Sequence, residues 1–169
     1  MLIKTVRGFT PQYGKNCFFA ENATLIGEVI MGDDCSIWFQ AVVRGDVNTI
    51  SMGNRVNIQD GTVIHGTFKQ SPTTIGNDVS IGHNAIVHGC TIHDRVLVGM
   101  GSIIMDDSII GSNSIIAAGS VLPKSTLVSE GSVYAGIPAR KIKEISRELQ
   151  KVEVERIAAN YIKYASWYK

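Results

Sequence analysis

A period of six residues constrains this chain more than any other feature it carries. Aliphatic residues recur at Ile26, Met31, Ile37, Val43, Met52, Ile58, Ile64, Ile75, Ile81, Val87, Ile92, Val98, Ile104, Ile110, Ile116, Leu122 and Val128. Glycine often follows directly, as at Gly53, Gly76 and Gly82, and a small or β-branched residue stands four places on, as at Ala41, Thr62, Ala85, Ser102 and Ser120. A helix repeats near 3.6 and a plain strand near 2. Six fits a short strand, a corner and another short strand, with the aliphatic and the small residue both turned inward. The spacing departs from six after Ile26, Val43, Ile64 and Val87. Counted in threes from Met31, every departure falls after a third hexad. The chain therefore reads as a three-sided coil with one tolerant corner, its turns starting at Met31, Met52, Ile75, Ile92, Ile110 and Val128, with small loops at Arg44–Ile50 and Gly66–Thr74.

The pattern stops at Ile137-Pro138. Beyond it, Ile142, Ile145, Leu149, Val152, Ile157 and Tyr161 predict an amphipathic helix from about Ala139 to Tyr168, packed on the prism or on a neighbouring chain. The expected organisation is a prism over 1–137, closed at one end by an N-terminal cap strand, and a helix over 138–169. Sixteen Lys and Arg against fifteen Asp and Glu leave a net charge of +1, with no basic excess to suggest nucleic acid. No apolar run reaches the roughly 18 residues of a membrane span, and the N-terminus lacks the apolar stretch of a signal peptide, so a cytoplasmic protein is expected. Cys17, Cys35 and Cys90 are odd in number and lack CxxC spacing, which favours reduced thiols over a disulfide framework.

The phase of the repeat says where the histidines point. His65 follows Ile64 and His88 follows Val87, on consecutive turns, so they stack one strand spacing apart with Arg44 heading the same column. His83 lies two places after Ile81, in a second column with Phe39, Asp60 and Met100. All three imidazoles point outward. Three neutral imidazoles suit zinc, with a fourth position left for water, but the body of one prism separates the two columns. Two prisms side by side bring His65 and His88 of one to His83 of the next, and a threefold axis closes the ring as a homotrimer. His93, on the first face, reads as a surface residue. Cys90, at the corner after the third face, is a weaker candidate as a soft ligand.

With the histidines placed, the chain resembles the γ-class carbonic anhydrase-like family of hexapeptide-repeat proteins, some of them named ferripyochelin-binding or hexapeptide transferase family proteins. The resemblance rests on the repeat over Gly14–Ser132, on Arg44-Gly45-Asp46, on Asn57–Gly61 (NIQDG) and on the spacing of His65, His83 and His88. It implies a mainly β fold, a left-handed parallel β-helix with three hexapeptides per coil and a C-terminal α-helix. It implies zinc, or alternatively ferrous iron or cobalt, bound by the three histidines between trimer subunits. Arg44 and Asp46 are then intersubunit salt-bridge partners, with Asp60 in the same network. Gln59 and Asn57 hydrogen-bond near the reacting water or bicarbonate, and Tyr161 reaches the site from the helix. The activity implied is that of a carbonate dehydratase, a lyase in which metal-activated water attacks carbon dioxide to give bicarbonate. Where the family's archetypes carry proton-exporting glutamates, this chain has Val47 and Phe68, so slower turnover is expected. Two other readings stay open: an acyl-CoA thioesterase or acyltransferase of the same fold, and a non-catalytic trimer stapled by metal.

Overall fold

The computed structural model describes residues Met1–Tyr168. It is a parallel β-solenoid of about seven turns, followed by a single C-terminal helix. The register of the sheet follows the six-residue period. Met31, Met52, Ile75, Ile92, Ile110 and Val128 stand opposite one another along the first face. Ile37, Ile58, Ile81, Val98 and Ile116 do so along the second. Val43, Ile64, Val87, Ile104 and Leu122 do so along the third. These columns are buried and form one continuous core. Fully burying an aliphatic side chain contributes roughly 1.5–3 kcal/mol, so the stacked columns supply the main term holding the coil together. The small inward residues let the chain turn. Where they are polar, the backbone of an adjacent turn satisfies them: Thr62 Oγ1 donates to Gly82 O at 2.9 Å and Ser102 Oγ to Ala117 O at 3.0 Å.

Four expectations need correction. At the first irregularity the inward residue is Leu25, fully buried and paired with Val43, whereas Ile26 is half-exposed and pairs with Arg44. Leu25 to Met31 is a regular six, so the shortfall of five after Ile26 is not there. Arg44–Ile50 is not a loop either. It lies within one long strand, Val42–Met52, that runs round the corner from third face to first, with a register shift opposite the partner segment Gly27–Val29. The N-terminus does more than cap: Leu2–Lys4 and Gln12–Tyr13 pair in parallel with Thr24–Met31, and Phe18–Phe19 pairs with Ser36–Ile37, giving a further turn.

The fourth correction concerns the C-terminal segment. Ala139–Glu144 is a strand that folds back antiparallel on Ser132–Gly136, so the helix begins only at Arg147. Ser146 caps it, accepting a hydrogen bond from Leu149 N at 3.1 Å. The helix winds as a π-helix over Gln150–Glu155 and as an α-helix over Arg156–Ser166. Its apolar face lies on the second face of the coil. Val154 packs with Ile115 and Val133 near one end. Tyr161 meets Trp38 edge-on at 5.2 Å between ring centroids, and Tyr168 lies 5.3 Å from Phe18. Within one chain, then, the helix covers its own prism. Among the described residues no helix is long and apolar enough to cross a membrane.

Candidate metal centre

The strand Val63–His65 pairs with Ile86–His88, and the register sets His65 beside His88. Their ring centroids are 5.2 Å apart. His65 Nδ1 faces His88 Nε2 at 3.3 Å. The outer nitrogen of each ring is held by a carboxylate: His65 Nε2 lies 3.0 Å from Asp46 Oδ1, and His88 Nδ1 lies 2.6 Å from Asp106 Oδ1. An ionised carboxylate only accepts, so the nitrogen facing it carries the hydrogen and the opposite nitrogen of a neutral ring presents a lone pair. Two lone pairs then meet head-on with no proton between them. Burial, helped by the nearby Arg44 charge, outweighs the hydrogen bond to Asp46 and lowers the His65 pKa, which favours this neutral form. A tetrahedral ion with Zn–N bonds of about 2.05 Å needs its nitrogens about 3.3 Å apart, and carboxylates behind ligating imidazoles are the usual outer shell of such sites. The donor set fits a divalent metal.

His83 stands at the tip of the corner between second and third faces, where Asn84, with φ +56°, turns the chain. Its Nδ1 is 2.8 Å from Asp60 Oδ2, which leaves Nε2 outward, 3.4 Å from the Tyr161 hydroxyl. This is the same arrangement a third time: an imidazole backed by a carboxylate, here with its other nitrogen turned toward the Tyr161 hydroxyl. Among the described residues of one chain, no three His, Cys, Asp or Glu side chains converge on a common point. The chain thus offers a pair of candidate ligands at one corner and a single one at another.

The remaining site residues fall as follows. Arg44 and Asp46 close on each other within the chain, Nη1 to Oδ2 at 2.7 Å. Burial raises the Asp46 carboxyl, but hydrogen bonds from Arg44 and His65 outweigh it and the net shift is downward. Within the single chain this pair holds His65, and Asp60 holds His83. Gln59 and Asn57 are buried; Gln59 Nε2 donates to Asn57 Oδ1 at 3.0 Å, and Asn57 Nδ2 donates to Ser80 Oγ at 2.7 Å. Asn57 is thereby committed to fixing Gln59, whose second N–H and carbonyl remain available. Tyr161 both packs on Trp38 and reaches His83; burial, with Asp60 and Tyr164 nearby, pushes its pKa up to about 12, so it is a neutral donor. Cys90 is not available as a ligand: it points into the core, and burial pushes its thiol up to about 12. His93 is exposed.

Sequence reasoning missed Asp106. It sits one turn beyond His88 and accepts from His88 and from Thr67 Oγ1 at 3.0 Å. Gly89, at φ +53°, makes the approach feasible, because a Cβ there would collide with the Asp106 carboxylate and with Ser71. Asp106→Ala is expected to free the His88 ring and weaken zinc binding about 10- to 100-fold, the usual cost of losing such a support. Competition with a chelator of known affinity measures it; an unchanged zinc Kd would contradict the assigned role.

Comparison with known proteins agrees with the motifs. Two family models match, "Bacterial transferase hexapeptide (six repeats)" over residues 89–124 and "Hexapeptide repeat of succinyl-transferase" over residues 72–105. A carbonic anhydrase of Geobacillus kaustophilus is 42% identical over 99% of this chain and 91% of its own. The chain belongs to the γ-class carbonic anhydrase-like family of hexapeptide-repeat proteins. It is also similar to protein YrdA of Escherichia coli, 44% identical over 99% of this chain and 94% of that one. Among solved structures, a hexapeptide transferase family protein from Anaplasma phagocytophilum superposes with a TM-score of 0.94 at 38% identity, covering 99% and 98% of the two chains.

Proposed function

We propose that this protein hydrates carbon dioxide to bicarbonate at a divalent metal, zinc in the first instance with ferrous iron or cobalt as alternatives, held between neighbouring copies in a homotrimer. The observation that carries the reading is the 3.3 Å approach of His65 Nδ1 and His88 Nε2 with both outer nitrogens on carboxylates. His83, backed by Asp60, supplies the third nitrogen from the next copy. When bound, zinc lowers the pKa of a water from roughly 16 to about 7 and so supplies hydroxide at neutral pH. The chain does the rest. Gln59, anchored through Asn57 and Ser80, orients the reacting oxygen without taking its proton. The Tyr161 hydroxyl, neutral at working pH, donates beside His83.

Proton export is the weak step. Phe68 is exposed, with Arg7 at 5.5 Å and Lys69 at 5.2 Å over its ring. Neither Phe68 nor Val47 can carry a proton. With buffer as the acceptor, the hydration rate is expected to rise with buffer concentration. Stopped-flow hydration with zinc- and iron-loaded protein tests this, run beside hydrolysis of a panel of acyl-CoA thioesters. Thioester hydrolysis with no hydration in either form would instead favour the thioesterase reading.

A further inference from the structure

A cavity of about 360 Å³ lies between the C-terminal helix and the second face of the coil. One end is formed by Gln59, His83 and Tyr161, three groups already placed at the candidate centre. The rest is walled mainly by apolar side chains, among them Val98, Met100, Ile115, Ala117 and Ile157. Such a volume holds about a dozen waters at ~30 Å³ each, far more than carbon dioxide or bicarbonate needs. It falls within the roughly 300–1,000 Å³ of small-molecule sites, which combine apolar walls with a few convergent polar groups. The helix winding changes where it passes the cavity: the π segment ends at Glu155, and Arg156, Ile157 and Tyr161 of the α segment line it.

We propose that this cavity is an acyl subsite of the same centre, taking the apolar chain of a short carboxylic acid or its acyl derivative. The carboxyl or carbonyl end sits against Gln59 and Tyr161 as donors, and the chain runs between Ala117 and Ile157. Arg156 and Glu153 of the lining pair with each other at 3.9 Å, and Asp60 stands behind His83, so the lining offers no unpaired cation to hold a second negative charge. The ligand class is therefore a monocarboxylate or a neutral acyl compound with a chain of several carbons. Its position beside the reacting groups rests on the hydration reading, but its affinity for a chain does not.

The test is the Kd of acetate, butyrate and hexanoate for the purified full-length protein, measured by ligand-observed NMR, with hydration and metal content measured on the same preparation. Burying one methylene tightens binding about fourfold, so the series is expected to steepen by that factor per methylene buried. Ala117→Leu, which fills the cavity, is expected to flatten it; Ile157→Ala, which enlarges it, is expected to move the preference to a longer chain. A flat series in the parent protein, or an unchanged slope in both variants, overturns the subsite. Hydration with a flat series removes the subsite alone. A steep, Ala117-sensitive series without hydration keeps the subsite and removes the proposed reaction.

Discussion

Purified His83→Ala protein is expected to retain almost no metal after dialysis against a mild chelator, while the parent keeps about one ion per chain. The expectation follows from placement. His83 sits at a corner tip, its side chain partly exposed, and its polar contacts are with Asp60 and Tyr161. Removing it opens no cavity in the core, and surface substitutions of this kind usually change stability by no more than about 0.5 kcal/mol. What it removes is one of three nitrogens in a site where His65 and His88 alone leave half the coordination sphere to water. Elemental analysis of parent and variant decides the matter, with circular dichroism as the control on folding. Full retention of metal would show that His83 is not a ligand.

Gln59→Ala is expected to lower kcat/KM for hydration about 100-fold, the lower end of what loss of a positioned donor costs, with metal content and oligomeric mass unchanged. The side chain is buried, and its Nε2 is held by Asn57, so the orientation it imposes is fixed before substrate arrives. The variant also loses that hydrogen bond, at a cost of about 1 kcal/mol in stability, which the folding control will register. A trimer acting only as a scaffold predicts no functional change. Stopped-flow rates within twofold of the parent would therefore favour the scaffold over the enzyme.

The positions of these residues were legible because strand side chains alternate and the coil repeats. Once Ile64 and Val87 were placed inward, His65 and His88 had to stack outward, and the observed register places them opposite one another. His83 was separable from them by the same phase. In Leu25-Ile26 two aliphatic residues adjoin; a regular six back from Met31 selects Leu25, and its pairing with Val43 agrees. Ala139–Glu144 carried apolar spacing compatible with a helix, yet the open edge of Ser132–Gly136 captured it as a strand. Asp106 was invisible for another reason. Its role depends on a side chain reaching across from the next turn, past a glycine, to a ring nitrogen, and nothing in the spacing of the aliphatic residues records that reach.

A shared centre is most directly tested by mixing two inactive proteins. His83→Ala lacks the single ligand and His88→Ala lacks one of the pair, so neither homotrimer holds a complete set. Subunits of the two, dissociated and reassembled together, should regain one complete zinc site in each mixed trimer, and with it part of the hydration activity. If the mixture binds no more metal than the separate variants, the three imidazoles do not meet across a subunit boundary.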